Sequence, residues 1–157
     1  KGEGLYRRSL YTFWKRTGPA PVMMTLDASK RDVCVVKLER TSTPLQACVL
    51  LNGPQFIEAA RVLGQNMLKK HPEDVSAMLS EMFRRLTSRR PSKRELEILT
   101  GAFDEQLAYF KAEPKRATEF LKTGQADSDK AIPPDRIAAA AMVANTILNF
   151  DECVTKR

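Results

Sequence analysis

The chain predicts an all-α fold, an irregular compact bundle of about six helices with one long irregular loop region near its N-terminus. Three observations carry that reading. Apolar residues recur at helical spacing through most of residues 54–150, most cleanly as Val75, Met78, Leu79, Met82, Phe83 and Leu86, at i, i+3, i+4, i+7, i+8 and i+11. Thr43-Pro-Leu-Gln46 and Ser92-Lys-Arg-Glu95 have the form of capping boxes, in which a hydroxyl and a side chain three residues on satisfy each other's free amides. The only run rich in β-branched residues, Val33 to Leu38, has no partner strand in the chain and reads as an extended loop.

The elements follow in order. Residues 5–17 place Tyr6, Leu10, Phe13 and Trp14 at helical spacing, with Arg7, Arg8, Lys15 and Arg16 elsewhere on the surface. Aromatics interleaved with arginines suit stacking on bases or sugars. The simpler reading makes the rings core and lets the cations reach past them to water. Gly18-Pro-Ala-Pro21 breaks this helix. Residues 22–40 are the least regular, with Met23, Met24 and Leu26 expected under a loop.

Thr43 then caps a short helix over 44–51, with Pro44 at its first position, and Leu45 and Cys48 to Leu51 are expected to be buried. Asn52-Gly-Pro54 stops it and starts a second helix, 54–70, which turns Phe56, Ile57, Ala60, Leu63, Met67 and Leu68 to one broad face. Lys69, Lys70 and His71 suit its C-terminal end, and His71, the only histidine, reads as a cap or surface residue beside Pro72. Helices follow over 73–88, from 92 to about 111 with Leu96, Leu99, Phe103, Leu107 and Phe110 inside, and from Pro114 to about Lys122. The polar run 123–130 reads as a surface loop with freedom to move. Pro133-Pro134-Asp135 opens the last helix, whose small residues 138–141 allow close helix–helix approach and mark it as central.

With 157 residues, 43% hydrophobic and 29% charged, the chain is long enough for a single helical domain over 1–157 with a proper core. No apolar run approaches the roughly 18–20 residues that span a bilayer. The opening Lys-Gly-Glu-Gly has neither an initiator methionine nor a signal-peptide pattern, and reads as the start of a C-terminal piece of a larger protein. Net charge is +7, with one cationic cluster in residues 1–44 and a second at Arg84, Arg85, Arg89, Arg90, Lys93 and Arg94. The second either binds an anionic polymer such as nucleic acid or simply solvates a helix junction. Cys34, Cys48 and Cys153 are far apart and form no CxxC or CxxCH pattern; Cys48 reads as a small core residue, and a Cys34–Cys153 bridge is a matter for geometry.

The sequence offers no catalytic residue and no metal-ligand set, because it lacks phosphate-binding, nucleophile-elbow and zinc motifs and carries one histidine. The one local concentration able to line a site is polar: Arg40, Thr43, Gln46, Asn52 and Gln55, joined by Arg7, Arg8 and Lys37 as candidate anion ligands. Caps and turns account for the same residues. Arg40 is the member least explained that way, and if buried it needs an acceptor such as Asp27 or Glu39.

Leu5 to Thr17, Glu39-Arg-Thr-Ser-Thr-Pro-Leu-Gln46, Leu50-Leu-Asn-Gly-Pro-Gln-Phe-Ile-Glu-Ala-Ala-Arg61 and the closing Ala144 to Glu152 resemble one family, the planctomycete-specific C-terminal domain called domain of unknown function 1553. The chain departs from it at Ser42, where Asn is usual, and at Gly53, where Asp is usual; both replacements still suit turns or caps. The resemblance implies a large exported protein, periplasmic or at the cell surface, with a c-type haem domain and another domain upstream. The polar and aromatic concentration in residues 1–60 makes the first expected role that of a non-catalytic helical module packing through those residues against a neighbouring domain. Handling of acidic polysaccharide is a second implied role, and export argues against nucleic acid. Any haem c would belong to the upstream part, and upstream residues would complete the fold.

Overall fold

Prolines and side-chain caps set most of the helix starts. The structure, a computed structural model, describes residues 11–15, 17–29, 34, 36–37 and 41–154. Its helices are α1 (Pro21–Thr25), α2 (Pro44–Asn52), α3 (Pro54–Lys70), α4 (Val75–Thr87), α5 (Lys93–Ala112), α6 (Pro114–Leu121), α7 (Pro134–Leu148) and α8 (Asp151–Val154), and no strand occurs among the described residues. Pro21, Pro54, Pro114 and Pro134 each lie at the first turn of a helix, where a missing N–H removes nothing. Asp74 caps α4 by accepting from the Ala77 N–H at 2.8 Å, and Ser88 ends it in the left-handed conformation at φ 65°. Both expected capping boxes form: Thr43 with Gln46, and Ser92 with Glu95.

The chain forms two compact units, residues 1–49 and 50–157. In the second, α7 is the axis, packed against α3, α4, α5, α6 and α8. Ala138 to Ala141 are wholly buried, and their small side chains bring α3 close: a Cβ on Gly64 would stand 3.0 Å from backbone atoms of Ala140 and Ala141. Around this seam lie Met67 and Leu68 of α3, Met78, Leu79, Met82 and Phe83 of α4, and Leu99, Phe103 and Phe110 of α5. Each large side chain so buried contributes about 1.5–3 kcal/mol. Phe83 meets Phe150 edge-on at 6.0 Å between centroids.

In the first unit several expectations fail. Residues 5–10 and 16 lie outside the described residues, but 11–15 are not α-helical, and Tyr11 and Phe13 are 71% and 84% exposed rather than core. A short helix is marginal unless its apolar face is covered, and among the described residues these two rings are left exposed. Pro21 both ends what precedes it and opens the unexpected α1, on which Met24 is exposed. Of the expected extended piece, Val33, Val35 and Leu38 lie outside the described residues, and Val36 and Lys37 form a bend.

The largest correction concerns α2. It forms where expected, yet Leu45 is 62% exposed, Leu51 is 42% exposed and Cys48 is exposed, while the one buried residue on the helix is Gln46. Apolar residues lie all round α2, so one side of it must face outward whatever the other packs on.

Candidate functional site

Two buried polar nodes, one in each unit, hold the side chains best placed for chemistry. In the first unit Gln46 is drawn inward by its place in the first turn of α2. Its Oε1 accepts from the Thr43 N–H at 3.0 Å, and its Nε2 donates toward Thr25 O at 2.9 Å, Thr41 Oγ1 at 2.9 Å and Asp27 Oδ2 at 3.0 Å. An amide has two hydrogens, so these three acceptors share them. Asp27 sits at φ 55°, a left-handed conformation that Asp tolerates better than most residues. Its carboxylate accepts from the Thr41 N–H at 2.8 Å and from the Thr41 hydroxyl. Those bonds, the backbone one first, hold its pKa below the usual carboxylate value. A carboxylate so occupied is a structural acceptor, and it is not a free base.

Of the candidate anion ligands, Thr43 and Gln46 are brought together, in the capping box. Lys37 is exposed, as are Asn52 on the last turn of α2 and Gln55 on the first turn of α3. Arg7, Arg8 and Arg40 lie outside the described residues. Asp27, one of the acceptors expected for Arg40, already serves Thr41 and Gln46.

The second node lies outside the candidate residues expected from the sequence. Glu58, Arg61, Gln65 and Lys69 recur on α3 at i, i+3, i+7 and i+11, and all four turn to residues 124–129. Glu58 Oε1 accepts from the Gln125 and Ala126 N–H groups at 3.0 and 2.6 Å. Arg61, wholly buried, donates to Ala126 O at 2.5 Å and Ser128 Oγ at 3.1 Å. One acid and one cation thus grip opposite ends of the same residue. Gln65 Oε1 accepts from the Asp129 N–H at 3.0 Å, and Lys69 pairs with Asp129 at 2.7 Å. Gly124, at φ 93°, lies where a Cβ would come within 2.5 Å of the Glu58 carboxyl carbon. The 123–130 loop, expected to have freedom to move, is therefore fastened to α3. The signal in the sequence was that polar spacing beside the apolar stripe.

The remaining polar groups are junction ties. His71 caps α3 through its N–H, and its Nε2 lies 2.7 Å from Glu81, which also takes Lys70 at 2.7 Å and Arg85 at 3.0 Å. These partners, His71 first and then Lys70, pull the Glu81 pKa down to about 2. Arg89 bridges Glu95 and Glu152 at 2.6 and 2.8 Å and lies 4.8 Å over the Phe83 ring. Glu95 falls to about 2 through Arg89 and its cap bonds to Ser92.

No disulfide joins Cys34, Cys48 or Cys153; Cys48 is exposed, and burial pushes the half-buried Cys153 thiol up. Among the described residues no group of three His, Cys, Asp or Glu is placed to hold a metal, and no helix is long and apolar enough to cross a membrane. A c-type haem needs a CxxCH run, which the chain lacks, and its one imidazole is held by Glu81, so these residues do not fit that group.

Fold and site together define an all-helical module in which Gln46, Glu58, Arg61 and Gln65 make internal ties, while Arg61 Nε, Asn145 Oδ1 and Asn149 Oδ1 are buried without a hydrogen-bond partner among the described residues. Residues 1–103, about two thirds of the chain, match the family described as PSD1, protein of unknown function (DUF1553), and the chain belongs to that family. The match ends inside α5, before α6 and α7. No curated protein and no solved structure is matched.

Proposed function

We propose that this chain is a non-catalytic helical interaction module that packs, through residues 1–60, against another domain of a larger exported polypeptide. One observation carries the reading: large apolar side chains stand exposed through residues 11–51, at Tyr11, Phe13, Val22, Met24, Val36, Leu45 and Leu51, whereas the much longer stretch described beyond them exposes Ile98, Tyr109 and Val154. Exposed apolar side chains of this size are candidates for covering by a partner where they are contiguous. The motif resemblance supplies the occupant, a neighbouring domain of the same exported, haem-carrying protein.

Cys48 provides the test, because its thiol is exposed on α2. Thiol labelling read by mass spectrometry is expected to be fast in this chain and at least tenfold slower in the full-length polypeptide. Equal labelling rates in the two would remove the proposal.

A further inference from the structure

The second unit carries one strongly charged surface that its internal ties do not consume, at the elbow between α4 and α5. Arg85 and Arg89 are held by carboxylates. Arg84, Arg90, Lys93 and Arg94 are exposed, and their side chains form no ion pair among the described residues. Lys93 and Arg94 occupy the first turn of α5, where the helix dipole already favours negative charge. Their potential adds to that of the helix end.

The elbow that displays these cations is stiff. Ser88 fixes a left-handed turn, Arg89 spans Glu95 and Glu152, and the Ser92–Glu95 box closes the start of α5. From the elbow an open groove of about 430 Å³ runs along α5, lined by Ser76, Lys93, Leu96, Glu97, Thr100 and Gly101. Its volume falls within the range of about 300–1,000 Å³ usual for ligand sites.

We infer that this groove and elbow bind a short extended peptide segment, with its carboxylates on Arg90, Lys93 and Arg94 and an apolar side chain against Leu96 and Gly101. The eight-residue span from Lys93 to Gly101 is about 12 Å of helix, which about four extended residues cover. Charge chooses the class of partner. Glu97 lines the groove and would repel a phosphate or sulfate chain laid along it, whereas a peptide can set an apolar or basic residue there. No aromatic ring lines the groove to stack a base.

The probe is a fluorescein-labelled octapeptide of alternating Glu and Leu, followed by anisotropy against this chain at 50 and 200 mM salt. The inference expects saturable binding, weaker at the higher salt. It expects at least a tenfold loss in the triple variant Arg90→Ser, Lys93→Ser, Arg94→Ser. A similar loss is expected in Gly101→Asp, where an added Cβ meets nothing within 4 Å, with unchanged melting temperatures showing that both variants fold. A Lys/Leu octapeptide should not bind. The inference is overturned if binding survives either variant, if the Lys/Leu peptide binds equally, or if a 20-nucleotide RNA or a sulfated oligosaccharide binds the elbow more tightly than the Glu/Leu peptide.

Discussion

The two units bury opposite kinds of side chain. Every buried apolar residue described lies between Ala60 and Ile147, packed around α7, whereas the one buried residue described in residues 1–49 is Gln46. The second unit is therefore held by burial of apolar area, a term that scales with size and is insensitive to detail. The first is held at the described positions by one amide and one carboxylate, while Tyr11, Phe13, Met24, Val36 and Leu45 are exposed and Trp14, Met23, Leu26 and Val49 are half-buried. Covered surface makes a unit self-sufficient, and exposed apolar surface makes it a candidate for covering.

Substitutions sharpen the contrast, and the largest effect belongs to the apolar unit. Phe83→Ala removes a wholly buried ring at the α4–α8 side of the core and is expected to cost about 3–5 kcal/mol in denaturant unfolding. Arg61→Ala strips Ala126 O and the Ser128 hydroxyl of a buried donor, with an expected cost of about 2–3 kcal/mol. It should also speed hydrogen exchange at Gln125, Ala126 and Asp129; unchanged exchange there would show that Arg61 does not fasten the loop. In the first unit, Gln46→Ala breaks the capping box and leaves Thr25 O short of a donor, an expected loss of about 1 kcal/mol seen as local fraying of α2.

Acid tests the junction ties. Glu81 and Glu95 titrate near 2 in the folded chain against an ordinary 4.5, so both stabilise fully above pH 4.5. That stabilisation is lost as the pH falls from about 4.5 toward 2. Thermal melts should hold steady from pH 7 to about 5 and then fall, less steeply in Glu81→Gln than in the parent. The smallest effect comes from Leu45→Ser, expected within about 0.5 kcal/mol of the parent by chemical denaturation because its side chain is already in water.

How much of this was legible follows the same division. The helix starts at Pro44, Pro54, Ser92, Pro114 and Pro134 could be read because caps and prolines act within one turn, and the α7 axis because its alanines admit only close packing. Leu45 and Cys48 were misread as buried because composition tells that a helix is apolar, not whether anything lies against it. The loop over 123–130 was misread for the converse reason. Its polar residues suggested solvent, and only the fold brings Glu58, Arg61 and Gln65 against its backbone from more than sixty residues away in sequence. Of the candidate ligands, Gln46 emerged as the hub of its unit, yet as a tie between loop and helix.

Hydrogen exchange followed residue by residue, in this chain alone and in a longer one that carries the neighbouring domain proposed for it, tests the contrast between the units most directly. The amides of α7 should be the best protected in both samples, while those of α2 exchange quickly in this chain and slow at least tenfold in the longer one. Protection of α2 equal to that of α7 in this chain, or no change in α2 between the two, would contradict the account.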